Sequence, residues 1–89
     1  MADNRFSAAD AAFRAGRTDE GVATMVAELE RDPNAPADIY RAFLRILVRR
    51  GRYPECATWG RKATELYPRE SEFWNLLGVG LRRTNRHEE

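Results

Sequence analysis

Arg41, Arg45 and Arg49 recur at intervals of four residues. On a helix this spacing stacks three guanidinium groups on one face, where like charges repel by about 0.2–0.5 kcal/mol per pair. A carboxylate from another molecule would relieve that repulsion. It would also accept charge-assisted hydrogen bonds, often two at once from a single Arg. Arg82 and Arg83 add charge further along the chain. The plainer reading is a solvated basic face balanced by Asp38, Glu72 and nearby acids.

Other reactive groups are sparse. The one histidine, His87, sits beside Glu88 and Glu89 with no Cys nearby, whereas a metal site needs three or four ligands. The one cysteine, Cys56, has no partner for an internal disulfide and reads as an inert buried thiol in a reducing compartment. No glycine-rich phosphate loop precedes a helix, and the acids form no general acid/base pair. The expectation is a chain that is not an enzyme and uses no metal or cofactor.

Composition bounds the rest. At 89 residues there is room for one thin-cored domain, and an apolar content of 43% argues against disorder. No apolar run approaches the length of a membrane span, and no basic segment leads into an apolar one as in a secretory signal. The expected compartment is the cytoplasm. Net charge is +1, which gives little general attraction for nucleic acid. Fourteen arginines against a single lysine, Lys62, read in part as coding bias of a GC-rich bacterial genome.

The elements that carry these residues follow from apolar periodicity and punctuation. Five helices are predicted. The first spans about residues 4–15 and ends at Gly16. Thr18 is expected to cap the second, which stops before Pro33. Pro36 and Asp38 open the third, and Gly51 ends it. Pro54 stands in the first turn of the fourth, which Tyr67-Pro68 closes. Ser71 is expected to cap the fifth. Across these helices the apolar seam repeats every 34 residues: Phe6, Tyr40 and Trp74; then Ala9, Phe43 and Leu77; then Phe13, Leu47 and Leu81. A chain with such a period stacks one helical hairpin on copies of itself.

The third copy reads Trp74-x2-Leu77-Gly78-x2-Leu81. The second reads Tyr40-x2-Phe43-Leu44-x2-Leu47, followed by Gly51, Cys56 at a small position, Ala63 and Pro68. The first reads Phe6-x2-Ala9-Asp10-x2-Phe13, followed by Gly16 and Pro33. This pattern resembles the tetratricopeptide repeat (TPR) family over nearly the whole chain. Asp10 replaces the usual Gly, and the turns slip by one residue, with Gly16 to Gly51 and Pro33 to Pro68 both 35 apart. A rival register would put Ala8, Ala9 and Ala12 on the seam; the phenylalanine register buries two aromatics and is preferred.

The resemblance implies an all-α, right-handed solenoid of about two and a half antiparallel hairpins. Its repeats would fall near residues 3–36, 37–70 and 71–89, the last incomplete. Thr84-Asn85-Arg86-His87-Glu88-Glu89 is read as a turn leading into a second helix, so the chain is expected to be the N-terminal piece of a longer protein. Phe73, Trp74, Leu76, Leu77, Val79 and Leu81 are too many apolar residues for one buried face. Trp74 and Leu81 are accordingly the candidates for self-association.

By the same resemblance the first helix of each repeat lines a concave groove. The lining positions are Asn4, Ser7, Ala11 and Arg14; Asp38, Arg41, Arg45, Val48 and Arg49; and Glu72, Asn75, Val79, Arg82 and Arg83. The expected function is a protein-interaction scaffold that holds an acidic or amphipathic segment. Arg41, Arg45, Arg49, Arg82 and Arg83 would supply charge, Asn75 a polar contact, and Val48 and Val79 an apolar floor. Hsp70 and Hsp90 tails are not expected partners. Ser7, Ala11, Ala42, Glu72 and Leu76 stand where the tail-gripping repeats carry Lys, Asn or Arg. Nucleic acid, stacked on Tyr40, Tyr53 or Trp59, is the weaker option. A further alternative is the substrate-recruiting arm of a larger bacterial enzyme, such as an O-linked glycosyltransferase.

Overall fold

The computed structural model describes residues 6–85, so Asn4, His87 and most of the expected final turn lie outside the described residues. The described chain is all-helical, without strands. Its five helices are α1 (Ser7–Arg14), α2 (Thr18–Arg31), α3 (Ala37–Arg49), α4 (Tyr53–Leu66) and α5 (Ser71–Asn85). Thr84 and Asn85, expected in a turn, still belong to α5. No helix among the described residues is long and apolar enough to cross a membrane.

Glycine and proline set the boundaries. Gly16 (φ 81°) and Gly51 (φ 74°) both adopt the left-handed conformation that only glycine takes at little cost. Each ends its helix with the same hydrogen-bond pair. Arg17 N–H donates to the Ala12 carbonyl at 2.8 Å and Gly16 N–H to Phe13 at 3.1 Å; Arg52 N–H donates to Leu47 at 2.8 Å and Gly51 N–H to Val48 at 3.1 Å. Asp32 (φ −137°) and Tyr67 (φ −131°) leave the helical region, which the proline that follows each disfavours. The expected caps shift by one residue. Thr18 is the first residue of α2, behind Arg17 at the cap position, and Ser71 is the first residue of α5.

The described chain forms two compact units, divided between Ala35 and Pro36. In the first, α1 packs on α2. Phe6, Ala9, Ala12 and Phe13 are all buried on the α1 side, with Val22, Met25 and Leu29 on α2. Both phenylalanines of the preferred register are therefore inside, along with two alanines of the rival one, while Ala8 is exposed. Gly21 permits the close approach: a Cβ there would meet the Phe13 ring at 2.7 Å.

In the second unit α5 packs on both α4 and α3, and α3 on α4. Tyr40, Phe43, Leu44 and Leu47 from α3, Cys56 and Ala63 from α4, and Phe73 from α5 are fully buried. Edge and tilted ring contacts link Tyr40 to Tyr67 (6.2 Å), Tyr67 to Phe73 (6.1 Å) and Phe43 to Trp59 (6.1 Å). Such pairs add about 0.5–1.5 kcal/mol each beyond their buried area. The α4–α5 contact is backbone-close. A Cβ on Gly80 would stand 2.8 Å from the Ala57 nitrogen, and one on Gly60 would stand 3.1 Å from the Leu77 Cα. Cys56 sits in this contact and donates its thiol to the Leu76 carbonyl at 3.3 Å.

Candidate partner-binding surface

Charge is divided unevenly between the units. Residues 1–35 carry seven acids and four bases, a net −3, whereas residues 36–89 carry eleven bases and seven acids, a net +4. The near-neutral total hides a basic second unit, and the candidate binding residues all lie within it.

Helix geometry assigns those residues to stripes. Arg41, Arg45 and Arg49 share one side of α3. On α5, Glu72, Val79 and Arg83 share another, with Asn75 and Arg82 on the adjoining stripe. Burial of Phe73, Leu77 and Gly80 against α4 and α3 fixes the rotation of α5 and leaves these stripes outside the core. Ion pairs join the α3 and α5 stripes. Arg45 donates from Nε (2.6 Å) and Nη2 (3.0 Å) to the two oxygens of Glu72, fork to fork. Arg41 donates to Glu70 at 2.7 Å and also pairs with Asp38; its Nε lies 3.2 Å from Glu72. The Arg41 guanidinium lies 5.5 Å from the centre of the Phe73 ring.

These pairs shift the titration of their members. The hydrogen bond from Arg45, and then its charge and that of Arg41, hold the Glu72 carboxyl below the usual carboxylate range. The bonds to Glu70 and Glu72 raise Arg41 and Arg45 respectively. The two upper rungs of the arginine ladder are thus neutralised from within. Sequence reading had marked Asp38 and Glu72 as balancing acids. It missed Glu70, which lies in the turn before α5 and so outside every helical stripe.

The lower half of the face differs. Arg49, Arg82 and Arg83 are exposed and make no ion pair among the described residues. Arg83 lies 5.5 Å from the centre of the Tyr53 ring at the start of α4. Val48 and Val79 are half-buried, and Asn75 is exposed. The C-terminal parts of α3 and α5 thus carry guanidinium groups without an ion pair among the described residues and partly exposed apolar side chains, a combination suited to an amphipathic acidic chain.

The other predicted residues lie elsewhere. Trp74 is 51% exposed, and its indole Nε1–H donates to the Pro68 carbonyl at 2.8 Å. Leu81, seven residues on, lies on the same side and is half-buried. The turn Leu66–Glu70 encloses a shallow recess of about 270 Å³. Cys56 is buried, and desolvation pushes its thiol up to about 11. Among the described residues, no group of three or more His, Cys, Asp or Glu is arranged to hold a metal ion. No protein-family model matches the chain, and no curated protein is similar enough to count as a relative.

Proposed function

We propose that this chain is a tetratricopeptide-like binding module without catalytic activity. Its second unit holds an acidic or amphipathic segment of a partner protein along the α3–α5 face. The observation that carries this reading is the set of exposed arginines, Arg49, Arg82 and Arg83, that make no ion pair among the described residues, on the same helices as the half-buried Val48 and Val79. Equivalent glycine turns and the buried seam at Phe6, Ala9 and Phe13, repeated at Tyr40, Phe43 and Leu47, support the hairpin-repeat reading. The net +4 of residues 36–89 supports an acidic partner over a basic one.

The test uses a short fluorescent peptide of repeating Glu and Leu residues. Reversing Arg49 and Arg82 to Glu should weaken its binding at least tenfold, and added salt should weaken binding to the unaltered protein. Arg49 and Arg82 are chosen because they make no ion pair among the described residues, so reversing them leaves the Arg41 and Arg45 pairs in place. Equal affinity in the reversed variant would dismiss the face as the binding site.

Trp74 supports a second reading. A tryptophan 51% exposed on α5, in line with Leu81, suits self-association. Light scattering over a concentration series, with Trp74→Ser as the comparison, separates a monomeric adaptor from an oligomer.

A further inference from the structure

We infer that Glu72 is a built-in stand-in for the partner: its carboxylate occupies Arg45 as the incoming acidic segment would, and binding exchanges one for the other. The inference rests on the function proposed above and identifies the contact that the partner must displace. Three observations converge on it. Arg45 lies on the same stripe as the unpaired Arg49, one turn away, so a chain seated on Arg49 reaches Arg45 next. Glu72 already takes the Arg45 fork in the two-bond geometry of carboxylate recognition, at 2.6 and 3.0 Å. The pair is also open to exchange, with 56% of the Arg45 side chain and 33% of the Glu72 side chain accessible.

Arg41 is not exchangeable in the same way. It holds Asp38 and Glu70 as well as Glu72, and only 23% of its side chain is accessible. Losing Glu72 leaves it with two carboxylates, whereas Arg45 loses its single one. Glu72 itself is in the first turn of α5, where the helix dipole favours a carboxylate whether or not Arg45 is held. Release therefore frees one guanidinium and strands no charge. The partner thus engages Arg49, Arg82 and Arg83 first and captures Arg45 from Glu72 second.

The experiment measures the same Glu/Leu peptide on the unaltered protein and four variants. Glu72→Gln keeps the side-chain size and removes the competitor. Glu65→Gln makes the same charge change at an exposed α4 position and controls for net charge alone. Glu72→Gln should bind about two- to fivefold tighter than Glu65→Gln, the range expected for freeing one exposed ion pair. Adding Arg45→Gln to Glu72→Gln should abolish that gain. Far-ultraviolet circular dichroism checks that each protein keeps its helices. If Glu72→Gln binds no tighter than Glu65→Gln while Arg49→Glu still weakens binding, the exchange is wrong and the binding face stands. A gain that survives Arg45→Gln also overturns it. If Arg49→Glu has no effect, the binding face itself falls and the exchange with it.

Discussion

Gly78 and Gly80 lie two residues apart on α5, yet replacing each by alanine should move stability in opposite directions. The three atoms nearest a Cβ on Gly80 are all α4 backbone: the Ala57 nitrogen at 2.8 Å, the Ala57 Cα at 3.2 Å and the Cys56 carbonyl carbon at 3.2 Å. None of these can rotate aside, so α4 and α5 must separate, which also loosens Gly60 from Leu77. Overpacking of this kind costs about 1–3 kcal/mol. Alanine returns about 1 kcal/mol of helix propensity, so the net loss for Gly80→Ala is about 1–2 kcal/mol. At Gly78 the Cβ would approach only the Arg82 Nη1, the far end of a flexible side chain, at 3.3 Å. Gly78→Ala should therefore gain up to about 1 kcal/mol. Both tryptophans, Trp59 and Trp74, belong to the second unit, so fluorescence-detected thermal unfolding reports on that unit alone. Each kcal/mol should move the midpoint by about 4–8 °C for a domain of this size. A Gly80→Ala variant as stable as the unaltered protein would refute the backbone-close contact of α4 and α5.

Two further outcomes follow from the ionisable groups. Cys56, buried and pushed up to about 11, should resist thiol reagents at neutral pH in the folded protein and react at once in denaturant; rapid native labelling would show the site to be open. Glu72 titrates below its unfolded value, so its contribution is full above about pH 4.5 and is lost as pH falls through the lowered value. The drop in midpoint from about pH 5.5 to about pH 2.5 should be smaller for Glu72→Gln than for the unaltered protein, and equal drops would deny the pairing.

The helices were legible because their boundaries are local. Gly16, Gly51, Pro33 and Pro68 act through their own dihedral preferences, which need no tertiary information. The seam was legible in the first two copies, where Phe6, Tyr40, Phe13 and Leu47 are all buried. Trp74 shares the interval but not the burial, because α5 turns Phe73, Leu77 and Gly80 inward and leaves Trp74 on the flank of that buried side, 51% exposed. Periodicity fixes which residues share a face, and packing decides whether that face is covered.

Gly21 escaped notice because a glycine within a helical stretch carries no periodic signal; its use appears only once Phe13 lies across it. Gly78 and Gly80 look alike in the sequence, yet only Gly80 has backbone against it. The arginine ladder was plain from its spacing. Its division into paired and unpaired rungs was not, because Arg41 and Glu70 are 29 residues apart and meet only through the packing of α5 on α3.

The most direct test of the binding face is a map of where an acidic segment touches the protein. Titrating isotope-labelled protein with the Glu/Leu peptide and following backbone amide resonances gives that map. Shifts should concentrate at Arg45, Val48, Arg49, Val79, Arg82 and Arg83 and fade as salt is added. Shifts confined to α1, α2 or the outer side of α4, or none at millimolar peptide, would contradict the proposed binding face.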